Sequence, residues 1–234
     1  MQPSALMDKR VLVVGGTSGI GDAVARLAQA AGAVVTTASR SSTNSDTLKD
    51  SSHVVLDITS EAAVDSALSG LPQFDHLVIT PGGARPSRFR GVGAESAKLG
   101  FETKFWGAWR VAALTPLAEK ASITFISGVF AERPAAGQVA ASCANAALEA
   151  LARALAVELG PIRVNAVSPG LVDTPMWHAM PEAQRAAYFA GAAEKLPAGQ
   201  ICSADDIAAL VLACMTNPVL TGSVLKIDGG YTLT

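Results

Sequence analysis

The chain has 234 residues, 50% of them hydrophobic and 16% charged, which suits one α/β domain with a large core and requires no second domain. With 18 basic against 20 acidic residues the net charge is -2, so neither nucleic acid nor an anionic membrane is an expected partner. The first ten residues are too short and polar for a signal peptide, and no apolar run of ~20 residues predicts a membrane span, so a cytoplasmic protein is expected. Cys143, Cys202 and Cys214 lie far apart. They fit neither a disulfide framework nor a zinc site; they are expected to be buried thiols, and no metal is expected.

Residues 11–14, Val-Leu-Val-Val, are an uninterrupted apolar run, as expected of a parallel strand covered on both faces. Gly15-Gly16-Thr17-Ser18-Gly19-Ile20-Gly21 leads from it into an alanine-rich helix that begins near Gly19 and extends to about residue 31. Glycines permit a tight turn and a close backbone approach, so a pyrophosphate can meet the free N–H groups of that helix. The spacing is Gly-x-x-x-Gly-x-Gly, not the Gly-x-Gly-x-x-Gly of the common dinucleotide fingerprint. With Gly-Ile-Gly at its end, the stretch resembles the short-chain dehydrogenase/reductase family. The expected phosphate-side contacts are Gly15, Thr17, Ser18, Gly19, Ile20 and Gly21.

Gly32 reads as a C-cap, and a second strand over 33–38 ends in Ser39-Arg40. At that tip of a dinucleotide fold an acid binds a ribose 2′-hydroxyl and an Arg a 2′-phosphate. No Asp or Glu lies between residues 33 and 45. Ser39 stands where NAD-preferring members of the family carry an acid, and Arg40 follows it, so the resemblance implies NADP(H). The third strand, 53–58, ends in Leu56-Asp57-Ile58-Thr59. The resemblance assigns Asp57 and Ile58 to the adenine; Asp57 can equally mark the start of a helix over 61–68, for which Ser60 is the better cap. A fourth strand over 77–80 runs into Pro81-Gly82-Gly83. Relatives carry Asn-Asn-Ala-Gly there, so Thr80, Pro81 and Gly82 are expected to approach the cofactor ribose through backbone alone.

A loop over 84–95 holds Arg85, Arg88 and Arg90, read as solvated. A helix over 96–120, with Pro116 near its end, a strand over 122–127, a small-residue helix over 137–159 and a strand over 163–167 follow. In Pro169-Gly170-Leu171-Val172-Asp173-Thr174 the resemblance assigns Pro169, Gly170, Val172 and Thr174 to the nicotinamide carboxamide. Residues of about 175–197 resemble a mobile substrate flap. A helix over 203–216 capped by Ser203 and a strand over 223–227 close the chain with Asp228-Gly229-Gly230. The alternation predicts a Rossmann-like, doubly wound parallel sheet of about seven strands with helices on both faces and ligands at its C-terminal edge. The two long helices, rich in Ala and Gly, predict a homodimer or homotetramer.

Typical members of the family reduce a carbonyl with a Ser, a Tyr, a Lys four residues on and an Asn from the preceding long helix: the phenol donates a proton to the nascent alkoxide and a nearby cation lowers its pKa. Aligned on Ala154-Leu155-Ala156-Val157-Glu158-Leu159, the Tyr position falls on Ala141 and the Lys position on Asn145. The Ser position falls on Gly128, with Ser127 one place early and expected to face the other way; the Asn position falls on Lys104. Tyr188 and Tyr231, the only tyrosines, lie in the flap and the tail. Three readings stay open. The first is a reductase whose substrate needs no protein acid, such as a preformed iminium, with Asp173 as a carboxylate near the cation. The second supplies a replacement acid: Lys104 with its pKa lowered by burial, or His178 in the flap. Cys143 reads as core, and Arg133 can orient a substrate without donating a proton. The third is an NADP-binding protein without redox turnover, acting as a cyclase, an isomerase, a regulatory subunit or a scaffold. Trp106, Trp109, Trp177 and Phe189 are candidate apolar walls for a bulky ligand.

Overall fold

Seven strands, the central ones apolar and buried on both faces, stack into one fully parallel sheet. The computed structural model describes residues 5–40, 48, 51–80, 82, 89–90 and 94–234. The strands are β1 (Arg10–Val14), β2 (Val34–Ser39), β3 (Ser52–Val55), β4 (Phe74–Ile79), β5 (Leu117–Ile126), β6 (Arg163–Pro169) and β9 (Val224–Ile227), and a separate two-stranded ladder joins β7 (Val172–Asp173) to β8 (Cys202–Ser203). The order β3-β2-β1-β4-β5-β6-β9 reverses between β1 and β4, and a ligand crevice forms at the C-terminal strand ends beside such a switch point. The predicted single-domain, doubly wound architecture is the one observed.

Helices cover both faces. On one side α1 (Gly19–Ala30) and α7 (Ala204–Thr216) bury Val24, Ala28, Ile207 and Val211 against the sheet. On the other, α2 (Glu61–Leu68), α4 (Gly107–Leu114) and α5 (Val139–Glu158) bury Val64, Val111, Leu148 and Ala152. Capping follows the expected chemistry: Ser60 Oγ accepts from the Ala63 N–H, and Ser203 with Asp206 forms a reciprocal capping box. Gly32 takes φ +94 at the end of α1.

The expected helix over 96–120 is corrected to three joined pieces, α3 (Ala94–Phe101), a π-helical segment (Glu102–Trp106) and α4. Helical geometry stops at Leu114 because a residue before proline is pushed out of the α region; Thr115 is extended (ψ 127) and β5 starts at Leu117, five residues earlier than expected. α5, 20 residues long with mean hydropathy 1.2 over its most apolar stretch, is long and apolar enough to cross a bilayer by length and composition alone. In the fold it packs on β5 and β6. Cys202 and Cys214 are buried as expected, whereas Cys143 is exposed on α5, because its position lies on the helix face turned from the sheet.

At the N-terminal edge of the sheet, His76 on β4 is 7% exposed, with Nδ1 2.8 Å from Ser122 Oγ on β5. Burial, aided by Arg163 and Lys9 and opposed by Asp75, pushes its pKa down to about 4. The folded state therefore holds His76 neutral while the unfolded chain protonates it near pH 6.5, so folding loses free energy as pH falls from about 6.5 to 4. Urea unfolding across that window should show a loss approaching about 3 kcal/mol, and His76→Gln should flatten the slope; an equal slope in both proteins would refute the assignment.

Candidate active site

The turn between β1 and α1 is closed by backbone contact. A β-carbon at Gly21 would lie 2.1 Å from the Gly15 carbonyl oxygen and 2.8 Å from Thr80 Oγ1, and one at Gly16 would lie 2.8 Å from the Val13 carbonyl oxygen. Gly15 (φ +83) and Gly19 (φ +53) adopt the left-handed conformation glycine favours. Ser18 caps α1 in an extended conformation without a side-chain bond to the helix, leaving the first-turn N–H groups available to an anion. Thr17 is half-buried beside it, and Ile20 packs on the core. Thr80 Oγ1 donates to the Val14 carbonyl at 2.9 Å, tying β4 to the turn. These residues fit a pyrophosphate: small, convergent and rich in N–H donors.

At the adenosine side, Arg40 is exposed just beyond β2 and half-buried Ser39 ends that strand. Asp57 Oδ1 accepts from Thr59 N at 3.0 Å and from Thr59 Oγ1 at 2.7 Å. Those bonds, with Arg40 contributing, hold the Asp57 carboxyl below the usual carboxylate range. Ile58, expected against the adenine, is buried instead, and a β-carbon at Gly107 of α4 would come within 2.7 Å of its side chain; it serves the core. Gly82 is exposed. Pro81, Arg85 and Arg88 lie outside the described residues, and Arg90 is exposed as expected.

The centre of the cleft joins the π-helical segment, the end of β5 and α5. Lys104, 9% exposed, donates from Nζ to the Ser127 carbonyl at 3.0 Å. Burial lowers its pKa to about 8, opposed by the charge of Glu149. Ser127 Oγ donates to Glu149 Oε1 at 2.8 Å, so its hydroxyl is engaged within the framework. Gly128 and buried Asn145 face each other: a β-carbon on Gly128 would lie 2.9 Å from Asn145 Nδ2. The Asn145 amide makes no hydrogen bond among the described residues. Ala141, one turn before Asn145, is half-buried. Glu149 escaped the sequence reading, although it lies four residues after Asn145 and therefore on the same helix face. Burial raises its pKa against hydrogen bonds from Ser127 and Ser168 and the charge of Arg153.

Over the cleft, Thr174 lies against the phosphate turn, 3.4 Å from where a Gly19 β-carbon would sit. Pro169 is buried at the end of β6, Gly170 is packed against Asp228, and Val172 is buried with its carbonyl bonded by Trp177 Nε1 at 3.1 Å. Asp173 and His178 are exposed. Neither is brought beside Lys104 by a hydrogen bond or ion pair, and an exposed Asp173 is no desolvated counter-charge. In the flap, α6 (Glu182–Ala193) stacks Tyr188 and Phe189 on Trp177, with ring centroids 5.3 and 5.7 Å away. Trp106, the last residue of the π-helical segment, and Trp109 on α4 are 45% and 46% exposed and cluster with Phe105. Arg133 is held by the tail through the Tyr231 carbonyl, Thr234 Oγ1 and the Tyr231 ring, so its guanidinium serves the loop.

A family model described as Enoyl-(Acyl carrier protein) reductase matches residues 14–232. The chain belongs to the short-chain dehydrogenase/reductase family. Among its relatives, the short-chain dehydrogenase/reductase malC of Malbranchea aurantiaca is 31% identical over 97% of this chain and 96% of its own. The solved structure of that MalC Reductase/Diels-Alderase superposes with TM-score 0.88, covering both chains completely. A small-chain dehydrogenase solved in complex with NADPH is 35% identical, with TM-score 0.86 over 97% and 100% of the two chains. An NADPH-bound short-chain oxidoreductase from Pseudomonas aeruginosa PAO1, described as containing an atypical catalytic center, is 26% identical, with TM-score 0.86 over 96% and 98%.

For this short-chain dehydrogenase/reductase, Gly21→Ala places a methyl group where the Gly15 carbonyl already stands. Dinucleotide affinity should fall at least about tenfold and the unfolding temperature by several degrees. Fluorescence titration and thermal melts check both; unchanged affinity would show that the turn does not contact the cofactor.

Proposed function

We propose that the protein is an NADP(H)-dependent oxidoreductase that reduces a C=O or C=N bond of a small, apolar molecule without the family's usual Ser-Tyr-Lys-Asn set, with Lys104 as the proton source. The observation that carries this reading is a buried ammonium bonded to the Ser127 carbonyl, next to Gly128 and Asn145. Two NADPH-bound neighbours, one described as having an atypical catalytic center, support it.

The cofactor, when bound, supplies hydride. Its diphosphate is assigned to the first-turn N–H groups of α1 and the turn residues Gly15, Thr17, Ser18 and Gly19, and its 2′-phosphate to Ser39 and Arg40. Asp57 and Thr80 border the adenosine and ribose, and Thr174 with Gly170 receives the carboxamide. Asn145, with its side-chain amide unpaired among the described residues, offers a donor and an acceptor where relatives place a Lys. A carbonyl accepting hydride gains negative charge on oxygen, and Lys104 Nζ, already desolvated, releases one proton to it and recovers one from water. Trp177 and Phe189 supply an apolar lid, and a homo-oligomer is assigned to the surface carrying Trp106 and Trp109.

An acid with a pKa of about 8 works only while protonated. The kcat/KM for NADPH-dependent reduction should therefore be level below pH 7 and fall as pH rises through about 8. Lys104→Met should lose about a hundredfold or more in kcat while keeping NADPH affinity. A panel of ketones and cyclic imines tests the substrate class; retention of activity by Lys104→Met would overturn the role. Arg40→Asp should weaken NADPH binding by about 2 kcal/mol while sparing NADH, and equal affinity of the unmutated protein for both cofactors would refute the 2′-phosphate assignment.

A second reading, conversion beside a bound but unconsumed cofactor, is favoured by the likeness to a protein described as a reductase and Diels-Alderase. Nicotinamide stoichiometry separates the two: one NADPH oxidised per product supports the reductase, and product without oxidation supports the cyclase.

A further inference from the structure

Glu149 is the one acidic side chain on the inner face of α5, and it is half-buried behind β5. Its Oε1 accepts from Ser127 Oγ at 2.8 Å, while the carbonyl of that same serine accepts from Lys104 Nζ at 3.0 Å. One residue thus stands between a buried cation and a partly buried anion, bonded to each through a different oxygen. A carbonyl oxygen carries no proton to pass on, so the arrangement transmits position and charge and is not a proton wire.

We propose that Glu149 is a positioning residue for Lys104: it fixes Ser127 with its carbonyl turned to the ammonium and supplies the negative charge that balances that ammonium inside the fold. The proposal rests on Lys104 being the proton source, but its physical content is separable from turnover. An uncompensated ammonium in this site would shed its proton at lower pH, because burial penalises the charged form. A nearby carboxylate offsets that penalty and sets the pH range over which Lys104 can act as an acid.

Other charges facing the pair modulate the effect. Arg153, one turn further along α5, draws on Glu149, and Glu132 after β5 repels it. Glu132 is itself paired with Lys226 of β9 at 2.9 Å. On the π-helical segment Glu102 is engaged by Arg110 of α4, which leaves Glu149 as the acid acting on Lys104. Ser168 of β6 adds a hydrogen bond to the carboxylate.

The test is Glu149→Gln, which keeps an acceptor for Ser127 and removes the charge. Protein labelled with ¹³C at lysine Cε is titrated by NMR, the Lys104 signal being the one absent from Lys104→Met, alongside kcat/KM against pH. Lys104 should titrate lower in Glu149→Gln by about half a unit or more, the alkaline fall of kcat/KM should move by the same amount, and NADPH affinity should hold. Glu149→Asp, which withdraws the charge by one methylene, should show a smaller shift in the same direction and serves if the Gln variant does not fold. An unmoved Lys104 titration overturns the proposal. A shifted titration with an unmoved kcat/KM limb upholds Glu149 and removes Lys104 as the acid.

Discussion

A β-carbon at Gly21 would sit 2.1 Å from the Gly15 carbonyl oxygen, and the rest of the site depends on that missing atom. Because α1 starts this close to the end of β1, its free N–H groups point into the crevice where the sheet order reverses. Thr80 can then reach the Val14 carbonyl from β4, and Thr174 can rest against Gly19 from beyond β6. Segments following β4 and β6 are thereby registered on one turn. A larger residue would displace the helix and with it the reference point for both ends of the cofactor.

The centre of the cleft is governed by a different constraint, the cost of holding an ammonium away from water. Lys104 offsets that cost with one carbonyl at contact distance and one carboxylate further off, and the lowered pKa is what remains of the penalty. A π-helical turn carries it, a distortion that occurs frequently at functional sites. Gly128 and Asn145 belong to the same arrangement, since a side chain on the glycine would press on the amide. Substituting any one of these positions alone changes the space or charge seen by the others, so they behave as a unit.

The segment after β7 and the tail are each held by their own contacts. Trp177, Tyr188 and Phe189 bind the 3₁₀ turn Pro175–Trp177 to α6, giving this segment a small aromatic core of its own. Asp228 accepts from the Gly230 and Thr232 N–H groups at 2.9 Å each, and the bent tail returns to grip Arg133 in the loop after β5. The Asp228-Gly229-Gly230 ending thus braces the loop after β5.

Local patterns were enough for the framework. Apolar runs marked the strands, Ser60 and Ser203 the helix starts, and the glycine spacing the tight turn between β1 and α1, because each depends on backbone chemistry within a few residues. The boundary at Thr115-Pro116 is also legible in principle, because proline acts on its immediate neighbour, although Leu117-Ala118-Glu119-Lys120 beyond it is made of helix-compatible residues. What the sequence by itself determined is therefore the fold and which residue types stand at 104, 128, 141 and 145. Only the tertiary structure decided which of them meet: that Lys104 turns inward to Ser127, that Glu149 closes on the other side of that serine, and that Asp173, His178 and Cys143 face outward. Those outcomes turn on burial and on contacts between segments more than twenty residues apart, and desolvation depends on everything packed around a group, which no local pattern encodes.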